Sequence, residues 1–189
     1  MSRITDLTAN SSLAAGDLLV VVDIDDASMD ATGTDKKLAV SDLTTYVRGI
    51  TASAQAYPAN PAATASLTLV MMGMGSSCKI TPSSSGKVLL TLTGYAGTNT
   101  AVATLSLGGR FGTGTAPVNG AAVSGTRFGM ASDASFRSTA AAFFIPFTLT
   151  DLLTLTPGTA YWFDIALQTA VGADTAQLFT LSYTALEIA

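Results

Sequence analysis

"KVLLTLTGYA" at 87–96 decides the fold. Val88, Leu90 and Leu92 fall on one side of an extended chain, and Thr91 and Thr93 on the other. Strict period two over a β-branched, threonine-bearing run is the pattern of a strand with one buried face. A helix would scatter these residues around its axis.

The same period recurs downstream of that run. "AVATLSLGGRF" (101–111) puts Leu105 and Leu107 together. "AYWFDIALQ" (160–168) gathers Tyr161, Phe163, Ile165 and Leu167, with Trp162 and Asp164 opposite. "QLFTLSYTALEI" (177–188) alternates Phe179, Leu181 and Tyr183 with Thr180, Ser182 and Thr184. Turn formers such as "TPSSSG" and "TPGT" punctuate the runs. Short alternating strands separated by turns predict a mainly β domain over 67–189, an antiparallel β-sandwich of jelly-roll type. No helical pattern stands in this part of the chain.

Upstream the character changes. "TASAQAYPANPAATAS" (51–66) is rich in Ala, Thr, Ser and Pro and reads as an extended linker. Before it, residues 1–50 form a small α+β module. "DLLVVVDI" (17–24) and "KKLAV" (36–40) are strand-like, around a polar loop "ASMDATGTD" (27–35). "SDLTTYVRG" (41–49) predicts a short helix. Ser41 is its N-cap, Asp42 suits the positive N-terminus, and Gly49 stops it. Leu43, Tyr46 and Val47 would share one side. So small a unit lacks core enough to stabilise itself and is expected to fold against a partner.

Charge narrows the function classes. Of 189 residues only 12% are charged, about half the roughly 25% of an ordinary soluble domain. Residues 1–48 hold eight acids and four bases, whereas residues 49–189 hold five of each. A surface so poor in charge tends to associate. It suits static packing against other subunits better than steering of charged ligands. The net charge of −4, with Lys36–Lys37 as the only basic pair, disfavours a nucleic-acid partner. The apolar runs are too short to span a bilayer as helices, so no membrane is expected. "MSRITDLTANSS" has no apolar core of a secretory signal, which predicts synthesis in a cytoplasm.

The glycine-rich stretch "GGRFGTGTAPVNGAAVSGTRFG" (108–129) invites a phosphate-loop reading. A P-loop needs a Lys after its last glycine, yet no Lys lies between 88 and 189. A dinucleotide fingerprint begun at Gly112 and Gly114 meets Pro117 where its third glycine belongs. Turn chemistry accounts for the composition, with "NG" at 119–120 a strong reverse-turn signal. The stretch is expected to be a long exposed loop. It leaves Arg110, Arg127 and Phe128 as candidate contacts to a neighbouring subunit or ligand, with Trp162 either core or an aromatic anchor at such a contact.

Catalytic constellations are thin. The chain has no histidine, which removes Ser-His-Asp and Cys-His arrangements and His-bearing metal sites. Cys78 is the single cysteine, so no intrachain disulfide forms. Asp164 and Glu187 are the acids placed on strands and the one pair available for two-carboxylate chemistry; a structural role is the expectation. "DIDDASMD" (23–30) departs from a calcium loop at Ala27, Ser28 and Thr34. Met71, Met72 and Met74 read as pliable core or interface filling. No cofactor, no metal and no enzymatic activity are expected.

The opening carries a resemblance. Ile4 to Leu7, Asp17 to Asp23 and Thr34 to Leu43 spell Ile-x-Asp-Leu, Asp-Leu-Leu-x-Val-Val-Asp and Thr-x-Lys-Lys-x-x-x-x-Asp-Leu. This outline resembles a short N-terminal module of tailed-bacteriophage virion proteins. "ITPSSSGKVLLTLTG", "RFGTGTAPVNGAAVSGT" and "GTAYWFDIAL" resemble segments of phage-encoded β-sandwich proteins. The resemblance implies a virion structural protein, docked by its N-terminal module to the major capsid protein or another virion protein. It also implies a homotrimer. Ile4, Leu7, Leu18, Leu19, Leu43 and Tyr46 are the candidate docking residues. Two roles stay open. One is a capsid decoration protein of cement or head-fibre type; the other is a tail fibre or adsorption protein that binds a host surface glycan.

Overall fold

A computed structural model describes residues 18–23, 34–39, 52–99, 103–137 and 143–188. The chain divides into two compact units, Met1–Gly49 and Ile50–Ala189. In the first unit, β1 (Leu18–Asp23) pairs antiparallel with β2 (Thr34–Ala39), in a register that sets Leu18 opposite Ala39 and Leu19 opposite Leu38. The apolar run and the Lys-bearing run are thus partners in one hairpin. Ile4, Leu7, Leu43 and Tyr46 lie outside the described residues, and so does the expected helix over 41–49.

The second unit is mainly β, and its strands pair antiparallel throughout. Ten strands follow in chain order. They are β3 (Ser53–Ala56), β4 (Val70–Met71), β5 (Lys79–Ile80), β6 (Lys87–Thr98) and β7 (Thr104–Thr113), then β8 (Thr126–Phe128), β9 (Ala134–Arg137), β10 (Phe144–Thr154), β11 (Tyr161–Thr169) and β12 (Ala176–Glu187). One sheet runs β10-β6-β12-β3. The other runs β4-β11-β7-β8, with β5 also on β11 and β9 also on β7. The chain crosses from one sheet to the other between β3 and β4, β5 and β6, β6 and β7, β9 and β10, β10 and β11, and β11 and β12. That alternation is a jelly-roll sandwich, as the strand pattern predicts.

The core lies where the period-two faces meet. Val88, Leu90 and Leu92 of β6 pack with Phe163, Ile165 and Leu167 of β11 and with Tyr183 of β12. The Phe163 and Tyr183 rings sit 5.6 Å apart across the two sheets. Each fully buried Leu, Ile or Phe contributes about 1.5–3 kcal/mol.

Three local outcomes differ from the sequence reading. The stretch 51–66 is not a free linker. Ser53–Ala56 is an edge strand on β12, and Thr64 exchanges backbone hydrogen bonds of 2.9 and 2.8 Å with Ala176. Alanine-rich "SAQA" carries little strand propensity, so backbone pairing to β12 imposes the conformation. Second, β12 changes face midway. Two residues, Thr180 and Leu181, stand opposite Gly94 alone, and Thr180 has φ 50°. This β-bulge inverts the alternation. Leu178 and Leu181 are both buried, while Phe179 turns outward against Phe144, ring centroids 4.7 Å apart. Third, the glycine stretch is not all loop: 108–113 belongs to β7 and 126–128 is β8.

Candidate functional site

The glycines of β7 make room for large rings on both of its faces. A Cβ on Gly109 would stand 2.7 Å from the Phe128 ring, and one on Gly112 would stand 2.6 Å from Trp162. Trp162 therefore lies flat on the strand, and its indole N–H donates to the Thr113 carbonyl at 3.1 Å. The 114–125 segment folds back over this ring. Ala116 and Ala121 join Leu69 around a small second core of Met71, Trp162 and Ala166. Met71 N–H donates to Ala121 O, and Gly120 N–H to Met71 O, at 2.9 Å each. Gly120 has φ 80°, as the Asn-Gly turn requires.

The candidate contact residues divide accordingly. Phe128 is buried in the main core and Trp162 in the second one. Arg110 is buried too, and it donates to Asp133 at 2.8 Å and to the Gly109 carbonyl at 2.9 Å. Arg127 stands directly opposite Arg110 on β8 and binds the other Asp133 oxygen at 2.8 Å. Asp133 thus bridges two arginines that would otherwise repel. Partial burial opposes its ionisation, but both guanidiniums together hold its carboxyl below the usual range. Of the four residues, Arg127 alone keeps substantial exposure for a contact. The sequence missed this because the glycines that bury Phe128 and Trp162 do so by close approach, which no spacing rule records.

The two strand acids do not form a pair. The Asp164 side chain is fully buried and accepts from the N–H of Gly73 at 2.9 Å, Met74 at 3.1 Å and Ile165 at 2.7 Å. It thereby caps the 3₁₀ turn Met74–Ser76 from across the sheet. Burial pushes Asp164 up to about 6 even against those donors. Burial and the Asp164 charge together push the Cys78 thiol up to about 12, so it stays protonated and unreactive. Glu187 accepts four backbone N–H groups, from Ala52, Ser83, Ser84 and Gly86, and the Ser83 hydroxyl, at 2.8–3.0 Å. Burial opposes its ionisation, but the donors from Ser83, Gly86, Ser84 and Ala52 win and hold it at about 2. Asp151 accepts the Gly129 N–H at 2.9 Å and ties β10 to the end of β8. These carboxylates fasten backbone segments to one another. Among the described residues no group of three or more His, Cys, Asp or Glu could hold a metal ion. No helix among them is long and apolar enough to cross a membrane.

One surface feature has the form of a binding groove. At the β12 bulge, Thr93, Gly94, Tyr95, Pro146, Thr148 and Thr180 line an open depression of about 340 Å³. Tyr95 is 44% exposed there. Gly94 lines it with backbone, and on the core side of the strand a Cβ there would stand 2.7 Å from Leu181.

No family model matches the chain and no curated protein matches it. Among solved structures, it is similar to the Eiger TNF from S. frugiperda, at 13% identity and a TM-score of 0.35, covering 74% of this chain and 92% of that one. It is also similar to the PRD1 vertex protein P5, at 14% identity and a TM-score of 0.33, covering 75% of this chain and 98% of that one.

Proposed function

We propose that this chain is a structural component of a tailed-phage virion, a trimeric capsid decoration protein of cement or head-fibre type. The observation that carries the reading is the use of the sandwich's few acids. Asp133, Asp151, Asp164 and Glu187 each hold arginines or backbone in place rather than facing a shared cleft. A domain that spends its carboxylates on internal fastening suits static assembly better than catalysis. The N-terminal outline supports docking to the major capsid protein or another virion protein, through Ile4, Leu7, Leu18, Leu19, Leu43 and Tyr46. The protein then works in the virion after assembly in the host cytoplasm, without a cofactor. Copy number per purified particle, measured by quantitative mass spectrometry, tests this. Copies in the hundreds fit shell decoration, and a handful contradicts it.

The groove beside Tyr95 favours a second reading, a tail fibre or adsorption protein. An exposed aromatic ring among hydroxyl groups can receive the apolar face of a neutral host sugar. Binding of the intact protein to host cells, lost in Tyr95→Ala, would support it. Unimpaired binding by that variant would remove it.

A further inference from the structure

The outer face of the β10-β6-β12-β3 sheet carries its side chains in rows across the strands. Leu152, Leu89 and Leu186 stand directly opposite one another on three neighbouring strands. All three are exposed, at 58%, 39% and 47%. The next row is Thr150, Thr91 and Thr184, and the one after it Thr148, Thr93 and Ser182. Beyond the bulge stand Pro146, Tyr95 and Phe179. From the leucine row to the aromatic row these strands present no charged side chain, and Lys87 marks the end one row further out. A solvent-facing antiparallel sheet ordinarily alternates apolar-in with polar and charged groups out. Three leucines in one exposed row, bordered by hydroxyls, break that rule. An apolar patch of this kind marks an interaction surface.

We infer that this face is the surface through which copies of the chain associate with one another. The inference rests on the reading of the chain as an oligomeric assembly component, and it names the face that assembly uses. Three arguments select a second copy as the occupant. A face without charge offers a foreign partner no pattern of charge to recognise, yet it does not repel its own copy. Interfaces between identical subunits are the more apolar class. Size agrees as well. At ~3.3 Å per residue and ~4.8 Å between strands, the three long strands span roughly 35 Å by 15 Å, about 500 Å² before side-chain relief is counted, of the same order as the ~800 Å² each partner gives a stable interface. The Tyr95 groove lies on this same face, so association and sugar binding there exclude each other.

Sedimentation of the full chain is the test, with two variants on the face and one off it. The wild type should sediment as an oligomer at micromolar concentration. Leu89→Lys should raise the dissociation constant about 100-fold or more, because it buries an unpaired charge in the interface. Thr150→Arg, at an exposed hydroxyl where no packing is lost, should do the same with an unchanged circular dichroism spectrum. Leu67→Lys, exposed but outside these rows, should leave the oligomer intact. A monomeric wild type overturns the inference, and so does a Thr150→Arg variant as associated as the wild type. A monomeric wild type also removes the trimer from the proposed function, whereas an unaffected Thr150→Arg variant leaves the trimer and sinks only this face; the virion assignment itself fails separately, if the protein is missing from purified particles.

Discussion

At the scale of single residues, the buried carboxylates are held by donors, whereas a buried phenol is not. The Tyr183 hydroxyl is buried without a hydrogen-bond partner, and burial raises its pKa. A desolvated hydroxyl with no partner costs stability. Tyr183→Phe should therefore leave the unfolding midpoint unchanged or raise it by about 1 kcal/mol equivalent; a loss of that size in thermal melts would show that the hydroxyl has a partner. Asp164 gives a pH signature. Its folded value of about 6 lies above its ordinary 3.8. The folded state therefore binds more protons than the unfolded chain between those values, and stability falls as pH rises through them. Denaturant titrations should find the protein about 1 kcal/mol more stable at pH 5 than at pH 7 from this group. Asp164→Asn should flatten the difference. Glu187 acts in the opposite sense. Its value is depressed from 4.5 to about 2, so the stability it contributes is present above 4.5 and is lost as pH falls towards 2. The two windows overlap between 3.8 and 4.5, and the two groups together place the stability maximum in that overlap, where their opposite slopes cancel.

At the scale of elements, β7 shows how glycine serves packing. Gly112 lies opposite Trp162 across the strand pair, and its missing side chain is the space that the indole fills. Gly112→Val should cost about 1–3 kcal/mol through overpacking and shift tryptophan emission as the ring leaves its site. Emission and melting point both unchanged would contradict this account of the glycines. The strands themselves were legible where one face is buried and the other wet, as in β6. Legibility failed for specific causes. In β12 a single bulge at Thr180 shifts the frame, so Phe179 leaves the side of Leu181 and Tyr183 that unbroken alternation gives it. In β11 both faces are covered, and the segments that hide Trp162 come from distant parts of the chain. β3 carries only a faint apolar signal, because the residues it turns towards the core, Ala54 and Ala56, are small, and pairing to β12 supplies the rest. Arg110 and Phe128 are buried within the sandwich, as is Trp162, for which core was one of the two readings. Burial by close approach to glycine leaves no periodic trace.

At the scale of the molecule, a jelly-roll sandwich with its acids turned to internal fastening is joined in sequence to a small N-terminal unit containing the β1–β2 hairpin. The central claim is that the chain is built into a phage particle as part of its shell. Cryo-microscopy of the purified particle tests it most directly. The account predicts sandwich-shaped density at repeated positions on the icosahedral shell, with the N-terminal unit against the capsid. Density confined to the tail vertex, or none on the particle, would contradict it.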